Sequence, residues 1–179
     1  MKFLKDILYK VEIVSVIGTT DISISTVCFD SRKAEKQSLF IAIKGTQTDG
    51  NKFVEEVIKS GAIAIVSEQK PAVTIEGVNY IIVKNAAKAL AVIAANFYNN
   101  PTEKIKLIGV TGTNGKTTIV SLLHDLFLKL NIKAGMLSTI ENKVYNQLIE
   151  STHTTGDALQ LNQLLSQMFD SGCKYCFME

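Results

Sequence analysis

Residues 109–118 read GVTGTNGKTT, directly after the largely apolar run Ile105-Lys106-Leu107-Ile108. The order is a strand, a glycine-rich turn, a lysine with two threonines, and then a helix. Such a turn can point several backbone N–H groups at one anion, and the helix start adds a favourable dipole. Gly112 and Gly115 supply the close approach and the permissive backbone angles that the turn needs, with Thr113 and Asn114 between them. Lys116 is expected to reach the β- and γ-phosphates of a nucleotide, and Thr117 to place a hydroxyl on Mg²⁺. Thr118, one residue deeper, contacts phosphate or caps the helix. The pattern G-x-x-x-x-G-K-[ST] is not strictly met, because its first glycine falls on Val110 and Gly109 comes one residue too early. The competing readings are a turn with no ligand and a dinucleotide fold. The second lacks its Gly-x-Gly-x-x-Gly, and a lysine suits a triphosphate better. An ATP-using enzyme is the leading expectation.

Outward from this turn, the spacing predicts a helix over 115–130, a strand over 133–138, a short hairpin excursion over 141–150, a helix over 157–169 and a strand from Tyr175 to Met178. Gly172 stands where a helix C-cap is expected. Upstream, an alanine-rich helix over 86–98 is closed by Asn99-Asn100-Pro101, since proline cannot extend it and restricts the residue before it. This is the expected domain boundary. It leaves a small α/β unit over 1–100 and a P-loop-type unit over 101–179. Within the first unit the pattern predicts a helix over 2–9, strands over 22–29, 38–43, 62–66 and 80–83, and a helix after the loop 44–50, ended by Gly61. Asp49 or Asn51 is the candidate cap of that helix. Strands alternating with helices predict an α/β fold with a mostly parallel sheet. The chain stops at Glu179 inside a predicted strand, so the second unit is expected to be truncated.

The chain has 179 residues, a formal charge of +2, two prolines and 46% apolar residues, which suits a folded core. Charges are mixed, with no basic block to favour a nucleic-acid polymer. No apolar run approaches a membrane span, and MKFLKDILYK does not read as a secretory signal, so a cytoplasmic protein is expected. Cys28, Cys173 and Cys176 make an odd count. The Cys173-x-x-Cys176 spacing lacks a second Cys or His cluster, so buried apolar cysteines are favoured over a metal or redox site.

The decamer, apart from Val110, closely resembles the ATP loop of the Mur ligases, the amide-forming enzymes that build the peptide stem of bacterial cell-wall precursors. Folylpolyglutamate synthetase and cyanophycin synthetase are relatives. Asp30-Ser31-Arg32 resembles the D-S-R element in the UDP-binding domain of the third ligase, MurE. Asp49-Gly50 with Phe53, followed by Gly61-Ala62, resembles its D-G-x-x-F and G-A elements. Thr154-Thr155 resembles the paired threonines that contact the UDP-sugar peptide, and Met178-Glu179 resembles the opening of an M-E-V-S-S-H segment. The resemblance covers essentially the whole chain, and only part of a three-domain enzyme. The fourth ligase, MurF, competes because it has a comparable N-terminal domain, but T-G-T-N-G-K-T-T and T-H-T-T-G-D-A-L suit MurE better.

The resemblance implies ATP-dependent amide formation in peptidoglycan precursor synthesis. The substrates would be UDP-N-acetylmuramoyl-L-alanyl-D-glutamate and a diamino acid, meso-diaminopimelate or L-lysine, joined through an acyl phosphate. ATP and Mg²⁺ are the implied cofactors. Lys116 would be catalytic, Thr117 would hold one Mg²⁺ and Glu179 another, and Ser31, Arg32, Asp49, Thr154 and Thr155 would bind the UDP substrate. Read locally, Arg32 is a solvated turn residue, Asp49 a helix cap and the threonines part of a helix start. His153 and His124 carry no assigned chemistry. The full-length enzyme is expected to be a monomer, and residues 1–179 alone to be inactive. The alternatives are a non-catalytic UDP-sugar or nucleotide-binding fragment, and another P-loop enzyme such as a small-molecule kinase.

Overall fold

The structure, a computed structural model, describes residues 1–45, 48–150 and 157–179. In chain order the elements of the first half are β1 (Lys2–Phe3), α1 (Leu4–Ile7), β2 (Ile13–Ile17), β3 (Ser23–Ile24), β4 (Thr26–Cys28), β5 (Ser38–Ile41), α2 (Val54–Lys59), β6 (Ala64–Ser67), β7 (Asn79–Val83) and α3 (Ala86–Phe97). Strands β5, β6 and β7 are buried at every position. Continuous burial of this kind belongs to parallel strands covered on both faces. They lie side by side in a sheet of order β2-β7-β6-β5-β4, parallel except for β2, which runs antiparallel along β7.

One core of this half gathers Phe40, Ile65, Tyr80 and Ile82 from the sheet with Val57 of α2, and Phe53, Val54 and Ile58 pack against it. Helix α3 buries Ala86, Ala89, Leu90, Ile93 and Ala94. Their spacing of three and four residues makes one stripe of a 3.6-residue helix. Burying a side chain such as Ile93 contributes about 1.5–3 kcal/mol. The helix ends because Asn99 (φ 63°) and Asn100 (φ 50°) both turn left-handed before Pro101. Contacts divide the chain here, into Met1–Phe97 and Tyr98–Glu179.

Two expectations for the first half are corrected. Residues 2–9 are not one helix: Lys2 and Phe3 pair with Ile24 and Ser23, and helix begins only at Leu4. The burial of Leu4, Ile7 and Leu8 satisfies the same apolar spacing with a single turn. The predicted strand over 22–29 breaks at Ser25, whose N–H donates to the Gln37 carbonyl and whose hydroxyl donates to the Lys36 carbonyl. Its two halves therefore join different sheets. Strand β2 has no counterpart in the sequence reading.

The second half contains β8 (Lys106–Gly109), α4 (Lys116–Lys129), β9 (Ala134–Leu137), β10 (Glu141–Val144), β11 (Gln147–Glu150), α5 (Ala158–Asp170) and β12 (Tyr175–Met178). The sheet order is β11-β10-β9-β12-β8. Strand β12 inserts between β8 and β9, parallel to both, with Met178 opposite Gly109 and Leu137. The hairpin β10–β11 is not an excursion, because β10 pairs antiparallel with β9 and widens the same sheet. Asp157 caps α5 by accepting the Gln160 N–H at 2.9 Å, and Gly172 follows the helix at φ 81°. Met168, Leu164, Leu165 and Cys176 share one core, while Val120, Met136 and Phe177 share another. Cys173 and Cys176 are free and buried, and burial pushes the Cys176 thiol up to about 12. That is the inert, apolar use of cysteine. Among the described residues, no helix is long and apolar enough to cross a membrane.

Gly50 shows why the turn between β5 and α2 tolerates no side chain. Its N–H donates to the Ile43 carbonyl at 2.9 Å, and a Cβ there would lie 2.8 Å from the Ile43 nitrogen and 2.9 Å from its oxygen. These are backbone atoms that cannot swing aside. Gly50→Ala is expected to destabilise the protein by about 1–3 kcal/mol, the usual cost of overpacking. A lower urea midpoint would show it, and an unchanged midpoint would contradict this account of the turn.

Candidate nucleotide-binding site

The phosphate turn begins where β8 ends. The Val110 N–H donates to the Met178 carbonyl at 2.8 Å, the last bond before the chain leaves the sheet. Gly115 precedes α4 in a left-handed conformation, φ 80°. An L side chain would be strained there, and glycine is not. Gly115 also has no side chain with which to cap the helix, so the first-turn amides, which lack intrahelical partners, face the turn. Residues 111–115 are exposed, whereas Lys116 and Thr117 are half-buried. The Lys116 ammonium folds back over the turn and donates to the Gly112 carbonyl at 2.8 Å. The turn thus presents amides, a dipole and a cation together.

Parallel pairing brings a third strand end to this place. Glu179 follows β12, and its backbone N–H donates to the Leu137 carbonyl at 3.1 Å. Its carboxylate is held on both oxygens. The Thr117 hydroxyl donates to Oε2 at 2.5 Å, and the Thr139 hydroxyl donates to Oε1 at 2.7 Å. These two hydrogen bonds, with a smaller contribution from the Lys116 charge, hold the Glu179 carboxyl below its ordinary range. It is therefore ionised at neutral pH. The resemblance implies separate ions for Thr117 and Glu179, yet the two groups touch. One carboxylate with hydroxyls beside a phosphate turn is a set of hard oxygen donors. It fits Mg²⁺, which is held by one or two carboxylates and completes its shell with phosphate and water. Thr139 is the contact of this carboxylate that the sequence reading missed. It follows β9, and only the insertion of β12 between β8 and β9 brings it to Glu179.

In the first half, the parallel register of β4, β5 and β6 puts the residues that follow them on one edge of the sheet. Ser31 and Arg32 lie there, in a 3₁₀ turn over Ser31–Lys33. The Asp30 carboxylate accepts the Arg32 backbone N–H at 3.1 Å, its Nε–H at 2.9 Å and an Nη2–H at 2.7 Å. The Arg32 fork is solvent-exposed and already engaged by Asp30. Asp49 reaches the same edge and accepts from both the backbone N–H and the side-chain amide of Asn51, at 2.9 and 2.8 Å. It is the cap of a 3₁₀ turn over Gly50–Phe53. Ser67, at the end of β6, donates to the Asn51 side-chain oxygen at 2.8 Å. The expected substrate contacts Thr154 and Thr155, and their neighbour His153, lie outside the described residues. His124 is buried in α4 with Nε2 3.1 Å from the Tyr145 carbonyl, a structural role.

The Arg32 side-chain hydrogen bonds hold the Asp30 carboxyl at about 2. A carboxyl depressed in the folded state adds stability above its unfolded value, about 3.9, and loses it as pH falls through the folded value. An NMR titration of Asp30 should give a midpoint near 2 in the wild type, and Arg32→Ala should move it up towards about 3.9. A midpoint that ignores the substitution would contradict the pairing.

Sequence profiles match in tandem, one described as the Mur ligase family catalytic domain over residues 23–98 and one as the Mur ligase middle domain over residues 110–179. A UDP-N-acetylmuramoyl-L-alanyl-D-glutamate–2,6-diaminopimelate ligase from Cytophaga hutchinsonii is 51% identical over 98% of the chain, and one from Bacteroides fragilis is 46% identical over 98%. The chain spans 36% of the length of each. A solved structure of a ligase of the same name superposes on the whole chain with a TM-score of 0.76 at 25% identity, over 36% of its own length. MurF from Thermotoga maritima in complex with ADP shares the fold, with a TM-score of 0.56 and 22% identity over 86% of this chain and 31% of its own. Two profiles of one family therefore account for most of the sequence, and the chain belongs to the Mur ligase family.

Proposed function

We propose that the chain carries the UDP-substrate and ATP-phosphate portions of a ligase that adds a diamino acid to UDP-N-acetylmuramoyl-L-alanyl-D-glutamate. The observation that carries this reading is the meeting of Lys116, Thr117 and Glu179 at one end of the second sheet. Identity of 40–51% to ligases named for that reaction supports it. The MurE-like structure also aligns over more of the chain than MurF does, with a higher TM-score. ATP would lie with its phosphates over residues 112–118. The D-glutamate carboxylate of the substrate would attack the γ-phosphorus, releasing ADP and leaving an acyl phosphate. The amine of the diamino acid would then attack the acyl carbon, release inorganic phosphate and form the amide.

The physical obstacle is charge, because a carboxylate must approach a triphosphate. Lys116 would give up the Gly112 carbonyl for phosphate oxygens and stabilise the charge on the transferred group. Mg²⁺, held by Thr117 and Glu179, would supply the remaining neutralisation. Ser31, Arg32 and Asp49 would meet the UDP end on the edge of the first sheet, with Arg32 exchanging Asp30 for a phosphate. Thr154 and Thr155 would contact the sugar peptide. Turnover is assigned to the full-length, cytoplasmic ligase, with residues 1–179 alone forming no amide.

Lys116→Ala in the full-length ligase should lower kcat by at least about 100-fold, in line with loss of a transition-state charge partner. Affinity for the UDP substrate should stay within about twofold, because that contact is made elsewhere. Steady-state kinetics with phosphate release, paired with substrate titration, reads both. Unchanged kcat in the variant would rule out the assigned role.

A further inference from the structure

The Glu179 carboxylate is fixed from two sides, and only one side belongs to the phosphate turn. We propose that Thr139 is a positioning residue that orients the Glu179 carboxylate for cation binding, a role that rests on the nucleotide-site reading above. A carboxylate at the end of a strand can rotate, and rotation would turn Oε2 away from Thr117. The Thr139 hydroxyl on Oε1 at 2.7 Å prevents this.

Thr139 is in turn held by a built turn. The preceding Ser138 is buried, and its hydroxyl donates to the Glu141 carbonyl at 2.7 Å while accepting from the N–H groups of Ile140 and Glu141 at 3.3 and 3.1 Å. The Asn142 side-chain oxygen, also buried, accepts the Ser138 backbone N–H at 3.3 Å. The chain leaving β9 is thereby turned so that the Thr139 hydroxyl meets β12. This arrangement explains why an otherwise exposed threonine sits at the end of a buried strand. Ser138 and Asn142 shape the turn, Thr139 sets the carboxylate, and the carboxylate faces Thr117. A partner that orients a metal ligand typically changes metal affinity by about 10–100-fold when removed.

The test compares the wild-type chain with Thr139→Val, which keeps the shape and drops the hydroxyl, and with Thr139→Ser, which restores it. ADP binding is measured by calorimetry across a Mg²⁺ series and in EDTA, with thermal melting alongside. The expected result is that Thr139→Val needs about tenfold more Mg²⁺ for half-maximal enhancement of ADP binding. Its ADP affinity in EDTA and its melting temperature stay at wild-type values, and Thr139→Ser recovers the Mg²⁺ response. A Val variant with a wild-type Mg²⁺ response would overturn the proposal, as would one in which melting and EDTA affinity fall in parallel. A wild-type chain that binds no ADP, or binds it equally with and without Mg²⁺, would overturn the nucleotide-site reading and the proposal with it.

Discussion

The insertion of Tyr175–Met178 between Lys106–Gly109 and Ala134–Leu137 is the constraint on which the second half depends. Parallel strands end on the same side, so three chain segments far apart in sequence leave the sheet together. The first becomes the phosphate turn, the second leads to Thr139 and the third to Glu179. Packing fixes the register. Cys176 lies in the core with Met168, whereas Phe177 lies in the other core with Val120. A slip of one residue would exchange these faces and move Glu179 off the site. The same burial that stabilises the sheet therefore sets the carboxylate beside Thr117.

Electrostatics explains why such a carboxylate belongs there. Beside a bound phosphate it would be repulsive, and a lone lysine does not cancel both charges. Two hydroxyls and the nearby ammonium keep it ionised. An ionised carboxylate with hydroxyl oxygens next to a phosphate turn is a place for a hard divalent cation, which attracts both. In the first half the logic is similar and the charges are already paired. Arg32 lies against Asp30 and Asp49 caps its own turn. Any anion arriving at Arg32 must compete with a carboxylate that has two contacts to its guanidinium.

Much of this was legible in the residue order, for physical reasons. The alanine-rich stripe of 86–94 and its Asn-Asn-Pro stop are local signals, and so is the strand–turn–helix around Gly115. What was not legible is tertiary. Phe3 has helical spacing with Ile7, and only pairing with Ser23–Ile24 draws it and Lys2 into a strand. Ser25 looks like a polar face of one strand until its bonds to Lys36 and Gln37 divide it. The run Ile13–Ile17 is a half-exposed edge strand that needs β7 beside it to be recognised. Thr139 carries no local signal, because its role depends on a strand that enters 36 residues later in the chain, at Tyr175. Gly50, by contrast, stands in the Asp49-Gly50 sequence element and receives its reason from the Ile43 backbone.

The central claim is that the turn between β8 and α4 receives nucleotide phosphates, with Glu179 beside them. Backbone ¹H–¹⁵N NMR of the chain titrated with Mg²⁺ and ADP tests it most directly. The account predicts saturable shifts at the amides of residues 112–118 and at Glu179, much reduced when EDTA replaces Mg²⁺, with the amides of Ile65 and Ile82 in the first core unmoved. Amides at 112–118 that stay in place at saturating nucleotide would contradict it.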